Sequence, residues 1–178
     1  LGVHTLMIAA LKRLDSREFR SAEALGEALT ISPAVASAVL EQAERTGLPV
    51  PHLPGRGCRL ADAPDWLDAA RIEAVVADAG VRLRLVDCCG STNSELMRSA
   101  RAGAPSAEVL AAEWQTQGRG RLGRRWHSGV CSSLTFSLLW RFRKPVSALG
   151  GLSLAAGVAI VRALRRQAVE AGLKWPND

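Results

Sequence analysis

The sequence predicts an α+β protein in which a helical N-terminal region is followed by a mixed α/β sheet domain. The first sixty residues contain three short segments with apolar residues at helical spacing. A glycine-rich turn between two short apolar runs ends that region. Beyond it, strand and helix patterns alternate with short connections, which is typical of a sheet flanked by helices.

The N-terminal region is predicted to contain three helices, over residues 4–14, 21–29 and 31–47. In the third, Ser32 is placed to cap the first turn, and Pro33 occupies a position where its missing N–H costs little. Gly47 provides the stop signal. Each helix therefore has a local reason to form where the apolar spacing indicates it.

Residues 48–60 are predicted to form two short strands around a turn that contains Gly55 and Gly57. Two helices joined by a tight turn and followed by a β wing are typical of a winged helix-turn-helix, here over residues 1–62. A small helical domain that binds no nucleic acid is the alternative interpretation.

The charge of this region argues against strong DNA binding. Residues 1–62 carry seven basic and seven acidic side chains, and residues 32–44, around the third helix, carry no Lys or Arg. Phosphate contacts and base reading both depend heavily on such side chains. The residues placed to meet phosphates lie in and near the wing, namely His52, Arg56 and Arg59. DNA binding therefore stays open as an alternative.

The second part begins with a linker and helix over 63–80 and continues as a sheet domain over 81–178. Strands are predicted over 81–89, 107–115 and 132–142, and helices over 91–103 and 146–172. The last helix is apolar almost all round, which predicts that it is buried. We assign it and the LTFSLLW stretch of the third strand (134–140) to the core, outside any site.

Cysteine spacing and hydropathy indicate the compartment. The four cysteines lack the paired spacing of zinc ligands, and we expect them to be buried, reduced thiols. No signal-peptide pattern is found, and the apolar stretch over 149–164 is shorter than the ~20 residues that span a bilayer. We therefore expect a cytoplasmic protein with no membrane partner.

The positive charge of the second part is concentrated in residues 118–125, which we call the arginine loop. It contains four arginines and three glycines and is followed by Trp126. Glycines allow close approach to a ligand, and guanidinium groups suit carboxylate and phosphate. The loop lacks the Gly-Lys-Ser/Thr of a Walker phosphate loop. The alternative is a basic loop that is simply solvated.

Three motifs occur in a characteristic order, namely GSTN (90–93), QTQGRGRLGRRW (115–126) and KWPND (174–178). In these motifs the chain resembles bacterial biotin protein ligases, of the bifunctional kind whose N-terminal winged helix makes them biotin-operon repressors. The resemblance implies a class II synthetase-like catalytic domain, incomplete at residue 178. Lipoate ligases share that fold, but their glycine-rich motif differs.

The resemblance implies a two-step reaction. Biotin and ATP form biotinyl-5′-AMP, and biotin is then transferred to a lysine of the biotin carboxyl carrier protein of acetyl-CoA carboxylase. Mg²⁺ is the implied metal ion, and operator DNA and a homodimer are further implied partners. The alternative is a DNA-binding, biotin-responsive regulator without ligase activity.

The resemblance also implies roles for individual residues. Those for biotin are Ser91, Thr92, Asn93, Gln115, Gly118, Arg119 and Gly120. Those for ATP and the adenylate are Arg121, Arg124, Trp126 and Asn177. Arg121 and Lys174 are the implied catalytic residues, and Asp178 the metal ligand. Because the family places a further essential lysine just beyond this motif, we expect residues 1–178 alone to have negligible ligase activity.

Overall fold

The computed structural model describes residues 2–174, without the side chains of Glu44, Arg45 and Arg121. The chain divides into two compact units, residues 1–140 and residues 141–178. The first contains the three predicted N-terminal helices, the hairpin and a sheet. The second contains one long helix.

The N-terminal elements are α1 (Val3–Leu11), α2 (Ala22–Leu29), α3 (Pro33–Glu41), β1 (His52–Leu53) and β2 (Gly57–Cys58). The predicted caps are present, because the Ser21 and Ser32 hydroxyls accept hydrogen bonds from the N–H groups of Ala24 (3.2 Å) and Val35 (3.3 Å). The α2 and α3 axes are bent by 104° from one another. Three helices and a hairpin are confirmed, and the third helix ends at Glu41, before a 3₁₀ turn.

The hairpin is tied to the chain that precedes α2. Arg20 and Cys58 exchange two backbone hydrogen bonds, of 2.8 and 3.0 Å. Gly57 has φ of +96°, and its Cα faces the Arg20 backbone so closely that a Cβ has no room. This glycine is therefore required by both its backbone conformation and its neighbour.

The core of the helical region is a cluster of fully buried aliphatic side chains, among them Met7, Ile8, Leu11, Leu25 and Leu60. A residue that follows the arginine loop belongs to the same cluster. Val130 is 2% exposed, and its N–H donates to the carbonyl of buried Thr46 at 3.1 Å. The segment after the arginine loop is therefore anchored in the helical core.

The sheet contains β3 (Arg82–Cys89), β4 (Glu108–Gln115) and β5 (Thr135–Leu139), in that spatial order. It is preceded by α4 (Ala69–Val76), and α5 (Thr92–Arg101) connects β3 to β4. β3 and β4 are parallel, and β4 and β5 are antiparallel. The predicted mixed sheet is confirmed, and its centre is buried at Leu110, Ala111 and Ala112.

A polar junction, which we define as Lys12, Asp87 and Glu113, joins the helical region to the sheet. The Lys12 ammonium lies 2.6 Å from Asp87 and 3.7 Å from Glu113. The Glu113 side chain is 2% exposed and accepts a 2.8 Å hydrogen bond from the N–H of Leu67. Lys12 also lies over the Trp66 ring, 5.3 Å from its centroid. The junction therefore links α1, the linker and two strands.

Burial raises the pKa of Glu113, an effect only partly offset by the Leu67 N–H and by Lys12. The cause is the loss of solvent around the carboxylate, which disfavours its charged form. Glu113 therefore binds a proton more tightly in the folded junction than in the unfolded chain.

The second unit differs from the prediction for residues 146–172. A 3₁₀ turn (Val146–Leu149) leads to α6 (Leu152–Arg166), which begins after Gly151, whose φ is +86°. No residue of α6 is buried, although the apolar pattern predicts burial. That prediction is wrong because an apolar helix is buried only where other elements cover it, and periodicity does not supply those elements.

Val146–Arg166 is also long and apolar enough to be compared with a membrane span, with a mean hydropathy of 1.7 over its best window. The sequence analysis compared only the shorter apolar stretch, residues 149–164, with the length of a membrane span. Length and composition are the whole of this similarity, and core helices of soluble proteins share it. Three arginines lie in the last five residues of α6.

Candidate ligand-binding site

A pocket of about 200 Å³ lies where the ends of β3 and β4 meet the arginine loop. Its lining is mostly polar and comes from four parts of the chain, namely Ser91, Asn93, Gln115, Arg119, Trp126, Ser133, Leu134, Thr135, Phe136 and Ser137. The ends of parallel strands meet at one edge of a sheet, which is the usual place for a ligand site in an α/β fold. The pocket is therefore the candidate functional site.

The first wall is the start of α5. Ser91 is the N-cap of this helix, with an extended backbone, and its hydroxyl accepts from the Ser94 N–H at 3.4 Å. Ser91 and Thr92 are buried, at 5% and 3% exposure, whereas Asn93 is exposed. The cap thus directs a turn of polar residues into the pocket.

Gln115, the last residue of β4, is held by Thr92. Its Oε1 accepts from the Thr92 N–H at 2.7 Å and from the Thr92 hydroxyl at 3.0 Å. The Thr92 hydroxyl also lies 2.8 Å from that of Ser137, on β5. We call this series, Ser137, Thr92 and Gln115, the hydroxyl chain.

The arginine loop is a hairpin held by its own backbone. The Trp126 N–H donates to the Gly118 carbonyl at 2.9 Å, and the Gly120 N–H to that of Arg124 at 2.7 Å. A Cβ on Gly118 would lie 2.6 Å from the Trp126 carbonyl oxygen, so only glycine fits there. At the tip, Leu122 adopts φ of +56°, and it is 92% exposed.

The cations of the loop are available for an anionic ligand. Within residues 2–174, leaving aside the Arg121 side chain, the ion pairs involve neither Arg119, Arg124 nor Arg125. Adjacent guanidinium groups without a carboxylate between them repel one another. A phosphate or carboxylate would relieve this repulsion and accept their hydrogen bonds.

The structure brings together five of the predicted biotin and adenylate residues, namely Ser91, Asn93, Gln115, Arg119 and Trp126. Thr92 does not line the pocket itself, but its N–H donates to the side-chain oxygen of Gln115, which does. Gly118, Gly120 and Arg124 line an adjoining groove formed by the loop.

The remaining predicted site residues are Lys174, Asn177, Asp178 and Arg121. Lys174 belongs to the second unit. Asn177 and Asp178 lie outside the described residues, as does the side chain of Arg121.

The wing residues differ from one another in exposure. His52 and Arg56 are exposed, as expected for contact with phosphates. Arg59 is half-buried and donates to the carbonyls of Ser16 at 2.7 Å and Leu60 at 3.0 Å. Its guanidinium therefore stabilises the wing internally.

The prediction that the stretch over 134–140 is core is wrong, because Phe136 is 47% and Leu138 51% exposed. Thr135 and Ser137 of this stretch, and Ser133 before it, line the pocket. A sequence signal was available. Hydroxyl residues alternate with apolar ones along this strand, and period-two alternation places the hydroxyls on one face.

The cysteines show no sign of catalytic activation. All four are free, Cys58 is buried and the other three are half-buried. Burial raises the pKa of Cys89 and of Cys131 to about 11, which keeps these thiols protonated at neutral pH. Throughout residues 2–174, no group of three or more His, Cys, Asp or Glu side chains is placed to hold a metal ion.

Comparison with known families identifies the family of the chain. A family model described as the biotin/lipoate A/B protein ligase family matches residues 86–178, just over half of the chain. The chain belongs to this ligase family. The matched segment includes the end of β3, the hydroxyl chain and the whole arginine loop.

Relatives of this ligase family member extend the similarity to its N-terminal region. The chain is 34% identical over 177 residues to the bifunctional ligase/repressor BirA of Salmonella typhimurium, covering 98% of this chain and 54% of the relative. It is 33% identical over 178 residues to BirA of Escherichia coli, with the same coverage. The chain thus spans about half the length of these relatives.

A biotin–[acetyl-CoA-carboxylase] ligase of Mycobacterium tuberculosis is 42% identical over 115 residues. That match covers 61% of this chain and 43% of the relative.

Proposed function

We propose that the protein is a biotin protein ligase that activates biotin with ATP and transfers it to a carrier protein. The observation that carries this proposal is the arginine loop, whose described cations are not engaged in ion pairs, beside a small polar pocket. The family match and the names of the relatives support the same conclusion.

In the first step, a carboxylate oxygen of biotin attacks the α-phosphorus of ATP. The new C–O–P linkage forms as the bond to pyrophosphate breaks, giving biotinyl-5′-AMP. Two anions must approach one another, and guanidinium groups already in place stabilise the developing charge. Arg119 lines both the pocket and the loop groove, so it is suited to hold the carboxylate between them.

In the second step, the amine of a lysine attacks the acyl carbon of the adenylate, and AMP leaves. The name of the mycobacterial relative supports the carrier protein of acetyl-CoA carboxylase as the source of this lysine. A cytoplasmic location is part of the same proposal. Mg²⁺ is part of the same proposal, and its implied ligand, Asp178, lies outside the described residues.

The decisive experiment compares Arg121→Ala with Arg125→Ala in the natural polypeptide. Both remove one positive charge from the same loop, but only Arg121 has an implied catalytic role. We expect biotin-dependent release of pyrophosphate to fall at least 100-fold in R121A and less than fivefold in R125A, because one donor to developing charge is worth about 10²–10³ in rate. Equal losses of pyrophosphate release in the two variants would show that the total charge of the loop, and not a specific role of Arg121, supports the reaction.

A second function, DNA-dependent regulation, is favoured by one observation. The 104° angle between α2 and α3, followed by the β1–β2 hairpin, supports a winged helix-turn-helix, and two relatives are named ligase/repressor. The exposed face of α3 has no basic residue, so binding would depend on the wing.

Binding to biotin-operon DNA at 50 mM and 200 mM salt tests this second function. A DNA-binding wing predicts salt-sensitive binding that Arg56→Ala weakens about uniformly across sequences. Absence of binding at 50 mM salt would remove the regulatory function and leave the ligase function intact.

A further inference from the structure

We propose that the helical region holds a second ligand site, a cavity between α3 and the β1–β2 hairpin that binds a small primary amine with an apolar body. We call it the wing cavity. Its volume is about 380 Å³, and small-molecule sites in proteins typically measure about 300–1,000 Å³. The inference goes beyond the proposed function and does not depend on it.

The wing cavity lies where the hairpin stands apart from the end of α3. Cys58 of β2 exchanges two backbone hydrogen bonds with Arg20, which precedes α2, and it also pairs with His52 of β1. Ser37 and Glu41 line the cavity from α3, and His52 lines it from β1. A ligand in the cavity would therefore contact the helix and the hairpin together.

The floor of the cavity is apolar and includes Leu40, Val50 and Cys58. Leu40 and Cys58 are 7% and 8% exposed, and Val50 is half-buried against the core. Burial raises the pKa of the Cys58 thiol, which keeps this group neutral at pH 7. An uncharged floor of this kind favours the apolar body of a ligand, because contact removes both surfaces from water.

The rim of the cavity carries three hydrogen-bond acceptors of different kinds. Ser37 and Glu41 are four residues apart on α3 and so lie on one face of the helix. Their hydroxyl and carboxylate face the cavity together with the imidazole of His52, which accepts when it is neutral. A primary ammonium group has three N–H donors and no acceptor, so it matches this rim.

The charge at the rim also favours a cation. Among the described residues that line the cavity, Glu41 alone has a permanent charge. It is the last residue of α3, where the helix dipole adds partial negative charge, and no basic residue lies in the last turn. Within residues 2–174, apart from the side chains of Glu44 and Arg45, none of the three rim groups forms an ion pair or a side-chain hydrogen bond.

The test uses 4-phenylbutylamine, with the alcohol and the carboxylic acid of the same carbon skeleton for comparison. Bound probe should protect Cys58 from N-ethylmaleimide, and peptide mass spectrometry of the natural polypeptide measures that protection as a function of probe concentration. We expect the amine to bind at least fivefold more tightly than the alcohol, and more tightly still than the acid. Cys131, which lies outside the cavity, should react at an unchanged rate.

Three variants locate the site. Glu41→Gln should lower the affinity for the amine about fivefold and leave that for the alcohol unchanged, since it removes one ion pair at a partly exposed position. Glu27→Gln, an exposed glutamate in the last turn of α2, is the matched control and should leave the affinity for the amine at the wild-type value. Ser37→Phe fills the cavity from an exposed helix position and should abolish protection by every probe.

The opposite results would overturn the inference. No protection of Cys58 by any probe at its solubility limit would show that the cavity holds only water. Equal affinities for amine and alcohol, or equal losses in E41Q and E27Q, would reject recognition of an amine by this rim. Equal protection of Cys131 would show general stabilisation of the fold and no site. Pyrophosphate release tests the proposed function separately.

Discussion

The polar junction and the hydroxyl chain are both built from partly or fully buried polar groups where a helix meets the sheet, but they differ in what the groups contact. In the junction, Lys12 pairs with both Asp87 and Glu113, and Glu113 also accepts a hydrogen bond from the linker. In the hydroxyl chain, Thr92 bonds to both Gln115 and Ser137, and these two residues also line the pocket. Groups that satisfy one another hold the fold together, and groups left partly unsatisfied are available to a ligand.

The two regions should therefore respond differently to substitution. Substitutions in the junction should change the free energy of unfolding more than ligand affinity. Substitutions at the pocket and arginine loop should do the reverse, since the described arginines of the loop form no ion pairs that hold the fold.

The largest effect is expected for Glu113→Ala. It leaves the Leu67 N–H without its buried acceptor, whereas Lys12 keeps its 2.6 Å pair with Asp87. The loss of such an acceptor costs up to about 3 kcal/mol in unfolding free energy. Urea denaturation measures the change. Glu95→Ala, which breaks only the exposed pair with Arg98, serves as the control and should cost less than about 0.5 kcal/mol. Similar costs for the two would contradict the special role of the junction.

Val130→Ala should cost about 2 kcal/mol of unfolding free energy, since it removes two methyl groups from a site that is 2% exposed. Because this residue anchors the segment after the arginine loop, biotin affinity should also fall. The control is Val146→Ala, at 85% exposure, which should leave stability within about 0.5 kcal/mol of wild type. If Val130→Ala lowered the free energy of unfolding but left biotin affinity at the wild-type value, this residue would not be needed to position the arginine loop.

Gly118→Ala tests the pocket side of the comparison. The added methyl group meets the Trp126 carbonyl at 2.6 Å, so the base of the loop must move. We expect biotin affinity, measured by calorimetry, to fall about 10-fold, which corresponds to about 1.4 kcal/mol. Gly123→Ala adds a methyl group in open space at φ of +75° and should have the smaller effect on affinity. The reverse order would show that backbone strain at the tip matters more than the close contact.

The smallest effect is a pH dependence. The pKa of Glu113 is raised above 4.5 in the folded protein, so folding favours its protonated form. The contribution of Glu113 to stability is fully present below the pKa that this side chain has in the unfolded chain. It is lost as the pH rises through the higher pKa of the folded state. The stability of wild-type protein relative to Glu113→Gln should therefore decrease between pH 4 and pH 7. Urea titrations across that range measure the difference, and a constant or increasing difference would contradict a raised pKa.

Much of the fold follows from local sequence. Ser21 and Ser32 cap helices where their types and positions predict it, and strands form at 82–89 and 108–115 within one residue of the predicted bounds. The pocket contains Ser91, Gln115 and Arg119, which were expected to share a ligand. The burial of α6 and the assignment of Ser137 to the core were wrong, because both depend on neighbours distant in the chain.

The sequence by itself determined what interactions between near neighbours control: helix starts, the glycine-rich turns, strand alternation and the charge of the arginine loop. Tertiary structure alone decided the pairing of Lys12 with Asp87, 75 residues apart, and of Thr92 with Ser137, 45 residues apart. The physical reason is that a polar side chain has many chemically equivalent partners in a sequence. Only packing selects the one within 3 Å and leaves the others to water.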